Sequence, residues 1–182
     1  MSATRYEEAC ASVRPLQELN PKRILFVCLG NICRSPAAHG IMDDLVKEKG
    51  AADRFEIDSA GLYSGHAGDL PDSRMRAHAI RRGYNLTHRA RPVRESDFDN
   101  FDLIVAMDNS NFDRLRAFAP TLEAQNKVVR MIDFTRNHPY FHHIPDPYYE
   151  GAEGFETVLD LLEDATAGLY DALEPKGDST GC

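Results

Sequence analysis

The chain has 182 residues, 42% of them hydrophobic and 27% charged, with a formal net charge of -8. That length and balance suit one globular domain with a single sizeable core and exclude a disordered or fibrous chain. The acidic surplus argues against nucleic acid or an anionic membrane as partner, since both reward dense Lys and Arg on one face, so an anionic ligand requires a local site.

Four cysteines, Cys10, Cys28, Cys33 and Cys182, form neither the dense framework of a small secreted domain nor two CxxC pairs for structural zinc. A reducing, cytoplasmic compartment is the expectation. The first twenty residues carry acidic side chains and no continuous apolar core, so they predict neither a standard secretory signal nor a membrane span.

Residues 1–20 read as an N-terminal extension, with a helical turn or two over Arg5–Val13 and breaks at Pro15 and Pro21. Residues 24–28 are a short apolar run ending at a glycine-bearing turn, the pattern of a strand buried on both faces. A helix follows, with Ser35 as N-cap, Pro36 in the first helical position, an apolar stripe of Ala37, Ile41 and Leu45 beside Ala38, Met42 and Val46, and a stop at Gly50. Residues 55–59 predict a second strand, 72–82 a helix stopped by Gly83, and 101–107 a third strand. Asn109–Phe118 is a helix ended before Pro120, 127–132 a fourth strand, and 154–173 a long helix with Phe155, Val158, Leu159, Leu162 and Leu169 apolar. This alternation predicts an α/β three-layer sandwich, a four-stranded parallel sheet flanked by helices, spanning 21–174. The polar, glycine-bearing end, 175–182, reads as a flexible tail.

The chemistry concentrates in Val27-Cys28-Leu29-Gly30-Asn31-Ile32-Cys33-Arg34-Ser35-Pro36, between the first strand and its helix. In an open α/β sheet this is where ligands bind, and a helix N-terminus there presents unpaired amides to an anion. Gly30 lets the backbone curl, Asn31 tolerates left-handed geometry, and the amides of Leu29 through Ser35 can form an anion nest. Arg34 follows Cys28 by six positions, and its planar fork binds two phosphate oxygens. Nest and guanidinium together favour thiolate over thiol at Cys28, a nucleophile for phosphorus. Ser35 is placed to stabilise the departing thiolate in a second step.

These residues resemble the low-molecular-weight protein tyrosine phosphatase family, whose signature V-C-x-G-N-x-C-R-S-P is met in full. Asp58-Ser59-Ala60-Gly61, His88-Arg89-Ala90-Arg91, Met107-Asp108-Asn109-Ser110-Asn111 and Pro145-Asp146-Pro147-Tyr148-Tyr149 are similar to later landmarks of that family, in the right order. The resemblance implies hydrolysis of phosphotyrosine monoesters, in proteins or small aryl phosphates, through a phosphocysteine, with no cofactor and no metal. It assigns the general acid to Asp146, which chemistry also demands, because expelling a phenolate is easier with a proton donor. It makes Tyr148 and Tyr149 a wall of the substrate pocket, where the plainer reading is loop aromatics covering the core edge. It further implies a hydrogen-bond network of Asn31, Ser59 and His88 that holds the loop in shape. It also implies a reversible disulfide of Cys33 with Cys28, against the alternative that Cys33 is a small buried side chain.

Two features depart from the family pattern. The extension precedes the usual start, and Gly65 stands where many relatives carry a large aromatic, so that the pocket is either more open or filled by Tyr63. Arsenate reduction on the same scaffold needs relay cysteines, and none lies between 34 and 181. Phosphoarginine hydrolysis accompanies a threonine where Ile32 stands, and a non-catalytic phosphate-binding module would have lost Cys28 or Asp146. The sequence leaves the oligomeric state unread.

Overall fold

In the computed structural model, which describes residues 2–176, the first strand, β1 (Lys22–Cys28), is buried almost throughout and lies inside the sheet. Successive side chains of a strand point to opposite faces, and β1 accordingly feeds two cores. Ile24 and Phe26 enter one apolar cluster, Leu25 and Val27 another. The partners are β2 (Phe55–Gly61), β3 (Leu103–Ala106) and β4 (Val128–Arg130), all parallel, in the order β2-β1-β3-β4. The chain thus steps from β1 to one neighbour and returns to the other side, which makes the carboxyl end of β1 a topological switch point.

One face of the sheet is covered by α1 (Arg5–Val13), α2 (Arg34–Glu48), α3 (Ser73–Arg81) and α7 (Ala152–Leu173). The other is covered by α4 (Asp97–Asn100), α5 (Asn109–Phe118) and α6 (Leu122–Gln125). This is the three-layer arrangement expected from the alternation of elements. Gly50 and Gly83 terminate α2 and α3 with φ of 68° and 90°, values at which a side chain would be strained. The fourth strand is shorter than its apolar run, because Met131–Phe134 tightens into a 3-10 turn that drives Met131, Ile132 and Phe134 into the core.

The N-terminal extension is not an appendage. Thr4 and Glu7 form a reciprocal capping box, and Ala9, Cys10 and Val13 are buried in the same cluster as Ile24 and Phe26. Cys10 therefore belongs to the core rather than to a loose end; Cys182 and most of the expected tail lie outside the described residues. Tyr6 donates to the carbonyl of Gly168 (2.9 Å) and Gln17 to that of Ala172 (2.9 Å), tying the extension to α7. Arg5 donates to the carbonyl of Phe141 (2.6 Å), the hydroxyl of Thr135 (2.8 Å) and the carbonyl of His138 (3.2 Å). Asp164 holds the same segment from α7, accepting from the amides of Arg136 and Asn137 and facing Nδ1 of His138 at 2.7 Å. Burial alone would raise the Asp164 carboxyl, but these hydrogen bonds outweigh it and hold the group below the usual carboxylate range. Among the described residues no helix is long and apolar enough to cross a membrane.

Val13 is fully buried, so Val13→Ala should cost about 2 kcal/mol for two lost methyls and the space they leave. Urea unfolding checks this, and an unchanged midpoint would mean that α1 is not part of the cooperative unit.

Candidate active site

β1 ends at Cys28 and α2 begins at Arg34, so residues 29–33 must reverse the chain within five positions. Three of the carbonyls are spent outward: that of Cys28 accepts from the amide of Leu62 (3.1 Å), that of Leu29 from Tyr63 (2.8 Å) and that of Ile32 from Asp72 (2.8 Å). The amides of 29–33 have no acceptor among the described residues. Asn31 makes the reversal possible with φ of 56°, in the left-handed region that asparagine tolerates best among residues with a side chain. Gly61 is equally necessary. A Cβ there would stand 2.9 Å from the Leu29 carbonyl oxygen and 3.0 Å from the Asn31 amide, too close to main chain that cannot yield.

The Asn31 side chain then knits the turn together. Its Oδ1 accepts from the amide of Arg91 (3.0 Å) and faces Nε2 of His88 (3.1 Å), which fixes the amide orientation and assigns the His88 proton to Nε2. Its Nδ2 donates to Ser35 Oγ (2.8 Å) and Ser59 Oγ (3.1 Å). Because Ser35 Oγ accepts from Asn31, its own hydrogen can point at Cys28 Sγ, 3.0 Å away, with the Ala60 carbonyl a more distant acceptor at 3.5 Å. The network of Asn31, Ser59 and His88 implied by the resemblance is thus present. His39 extends it, with Nδ1 3.3 Å from Ser59 Oγ. Sequence reading missed His39, although its place one helical turn after Ser35 puts both on one face of α2. Burial and the neighbouring His39 lower the basicity of the His88 ring, against the opposing pull of Asp58.

Ser35 is not the N-cap expected of it. The helix starts two residues earlier, Cys33 occupies the cap position without a side-chain hydrogen bond, and Pro36 is the third helical residue rather than the first. The Ser35 hydroxyl faces inward to Asn31 and Cys28 instead of capping its helix.

Arg34 is almost fully buried. Nη1 donates to Asp108 Oδ2 (2.8 Å) and to the carbonyl of Ile144 (2.9 Å), while Nη2 lies 3.6 Å from Asp146 Oδ2. Burial opposes the charge, but Cys28, the hydrogen bond to Asp108 and the Asp146 carboxylate outweigh it and keep the guanidinium more firmly protonated than usual. Asp108, which sequence motifs mark only as a family landmark, therefore braces Arg34 with one oxygen and caps α5 with the other, accepting from the Asn111 amide (2.7 Å). Asp146 is partly exposed, and its Oδ1 accepts from the Tyr148 amide (3.1 Å), an Asx turn between prolines.

Cys28, Gly30, Ile32 and Arg34 line a cavity of about 220 Å³, with Asp146, Tyr148 and Tyr149 on one side and Leu29, Tyr63 and His66 on the other. The two tyrosines of the first wall meet edge to face at 4.9 Å. On the opposite wall Tyr63 fills the place left by Gly65, where a Cβ would fall 2.1 Å from its ring, and it meets His66 at 5.7 Å. Of the two alternatives for this departure the filled wall is the one realised. Cys33 also borders the cavity, as a free thiol like Cys28. Burial, with the nearby negative charges of Asp72, Cys28 and Asp146, pushes the Cys33 thiol far up, so it stays protonated.

The sequence model of the family described as low molecular weight phosphotyrosine protein phosphatase matches residues 23–179. A putative low molecular weight protein-tyrosine-phosphatase of Synechocystis is 46% identical over 151 residues, 83% of this chain and 96% of that one. The crystal structure of a protein tyrosine phosphatase from Entamoeba histolytica with Hepes in the active site superposes with a TM-score of 0.78 at 44% identity, covering 81% of this chain and 94% of that chain. A Drosophila arginine phosphatase superposes with a TM-score of 0.76 at 31% identity, over 86% and 99% of the two chains. With the loop, its side-chain network and the family match extending over nearly the whole of the described domain, the chain belongs to the low molecular weight phosphotyrosine protein phosphatase family.

Proposed function

We propose that the chain hydrolyses phosphotyrosine monoesters through a phosphocysteine, with Cys28 as nucleophile, Arg34 and the amides of Leu29, Gly30, Asn31, Ile32, Cys33 and Ser35 as the phosphate cradle, and Asp146 as general acid and base. The observation that carries the reading is the turn after β1, whose Leu29 and Ile32 carbonyls are bonded to flanking main chain while its amides keep no described acceptor beside a buried guanidinium. A phosphate dianion supplies the missing acceptors.

In the first step the Cys28 thiolate attacks phosphorus, the bond from phosphorus to the phenolic oxygen breaks, and Asp146 gives its proton to the leaving oxygen. The cradle and Arg34 hold the equatorial oxygens, whose charge is spread in the transition state. In the second step the Asp146 carboxylate takes a proton from water, the water oxygen attacks phosphorus, and the sulfur–phosphorus bond breaks. Ser35, with its hydroxyl hydrogen free for Cys28 Sγ, stabilises the thiolate as it leaves. The chemistry needs Cys28 reduced, which accords with a cytoplasmic setting, and it uses no metal or cofactor.

Tyrosine is favoured by the walls: Tyr63 and Leu29 face Tyr148 and Tyr149 across the mouth, a slot suited to a flat ring. The likeness to the Drosophila arginine phosphatase makes phosphoarginine the second reading to test, and Ile32 beside the cradle tilts the choice toward tyrosine.

Cys28→Ser should reduce hydrolysis of phosphotyrosine peptide and p-nitrophenyl phosphate to background without metal in the assay; retained turnover would refute the nucleophile. Faster release of phosphate from phosphoarginine than from phosphotyrosine by the wild type would favour the second reading. Asp146→Asn should lower kcat by about 10²–10⁴-fold for poor leaving groups and much less for good ones; equal slowing across a leaving-group series counts against the acid role. Gly61→Ala, which forces the Leu29 carbonyl and Asn31 amide aside, should lower kcat/KM by about 10²-fold. An unaffected Gly61→Ala enzyme would show that the shape of the turn does not govern catalysis.

A further inference from the structure

Behind the loop, on the side away from the substrate cavity, His39 on α2, Asp58 on β2 and His88 on the segment after α3 meet. A ligand atom of each lies within 4.8 Å of those of the other two, and the two rings stand 5.0 Å apart, tilted by 60°. A second cavity of about 100 Å³ reaches the two histidines, bordered by His39, Asp43, Thr87 and His88, and it shares no lining residue with the substrate cavity. We propose that His39, Asp58 and His88 form a binding site for a divalent transition-metal ion, of which Zn²⁺ is the natural representative, separate from the substrate cavity and connected to its loop.

Hydrogen bonding prepares both rings for the role. His88 Nε2 faces Asn31 Oδ1, an acceptor, so its proton sits on Nε2 and the Nδ1 lone pair is turned toward Asp58 Oδ1 at 3.6 Å. Ser59 Oγ accepts from Asn31, so its hydrogen is available to His39 Nδ1, and His39 Nε2 then donates to Asp43 Oδ2 at 3.2 Å. Each imidazole thus carries its proton on Nε2, donated to an oxygen, the outer-shell pattern that orients metal-binding histidines, and an ion on His39 Nδ1 displaces the Ser59 hydroxyl hydrogen from that lone pair. Two nitrogens and one carboxylate suit Zn²⁺ and its neighbours, with a fourth position for water; hard cations such as Ca²⁺ and Mg²⁺ want oxygen ligands.

The charges around the site also fit a cation. Arg91 is the positive group beside Asp58, donating to Asp58 Oδ2 at 3.0 and 3.1 Å, but it shares its charge with Asp97 at 3.0 Å. Asp43, Asp58 and Asp97 therefore outnumber it, and Asp58 Oδ1, which accepts from the Ser59 amide (2.8 Å), keeps a second lone pair for an ion beside His88. A tetrahedral ion needs its ligand atoms about 3.3 Å apart, so the three draw together by about 1.5 Å at most. His88 lies on irregular chain between α3 and α4, where such a shift is accommodated. The site touches the nucleophile through two side chains, from His88 to Asn31 to Ser35 to Cys28. A bound cation consequently acts on the loop without entering the substrate cavity.

Full-length wild-type protein and its Cys28→Ser variant are titrated with Zn²⁺ against a chromophoric chelator, and with Co²⁺ followed by absorbance. Both should bind one equivalent with the same affinity, and the Co²⁺ complex should show visible d–d bands without a thiolate charge-transfer band. His39→Gln and His88→Gln should abolish that equivalent, and Asp43→Asn should weaken it about ten-fold by removing the outer-shell partner. Urea midpoints confirm that each variant is folded; Asp43→Asn lies outside the loop network and keeps the test decisive if His88→Gln unfolds. Binding that survives His39→Gln and Asp43→Asn unchanged, or that vanishes in Cys28→Ser with a thiolate band in the wild type, would overturn the proposal.

Discussion

A turn that bonds its carbonyls at Leu29 and Ile32 to flanking main chain and leaves its amides without a described acceptor is the constraint on which the site depends. β1 lies inside the sheet, held by β2 and β3, so the position of Cys28 is set by a rigid support. From there the chain must become a helix within five residues while exposing donors rather than acceptors to the cavity. The cost is met by specific neighbours: Leu62, Tyr63 and Asp72 supply amides to the outward carbonyls, and Asn31 accepts left-handed geometry in return for four side-chain hydrogen bonds. Each of those bonds leads to another element, β2, α2 or the segment around His88. The turn is thereby clamped before any phosphate arrives, and binding need not order it.

What could be read from the chain alone follows the range of the forces involved. Buried strands and amphipathic helices are signalled by local periodicity, and the four strands and the longer helices stand where their apolar patterns put them, with ends that coincide or are displaced by no more than two residues. The cradle was legible because its requirements are local as well: a glycine, a residue tolerant of positive φ, a cysteine and an arginine six apart. Local reasoning failed where a side chain had a better distant partner. Ser35 has the chemistry of an N-cap but turns to Asn31 and Cys28, and the helix starts without it. Thr4 and Glu7 are a readable capping box, yet nothing in their neighbourhood announces that Val13 will be buried under α7 and the turn at Met131–Phe134.

The contacts of Asp108 and Gly61 were illegible for the same reason. Asp108 lies 74 positions from Arg34 and Gly61 lies 30 from Asn31, so their contacts exist only once β3 and β2 flank β1. Gly65 is a case in which the sequence posed the question correctly and only packing could answer it. Losing a side chain there does not open the pocket, because Tyr63 lies across the vacated position and restores an aromatic wall from two residues away.

The proposed nucleophile, Cys28, and the proposed acid, Asp146, come from distant parts of the chain, and a single buried residue keeps them in register. Ile144 donates its amide to the Met107 carbonyl at the end of β3 (2.9 Å), and its carbonyl accepts from Arg34 (2.9 Å). Two residues later stands Asp146, facing the other Nη of the same guanidinium. Arg34 thus does more than offer charge to a phosphate: one nitrogen fixes the segment that carries the acid, and the other remains beside the cavity. The segment before Ile144 is held in turn by Arg5 from α1 and by Asp164 from α7. A helix outside the family match therefore supports the segment that leads to Asp146, which gives the N-terminal extension a physical reason to pack where it does.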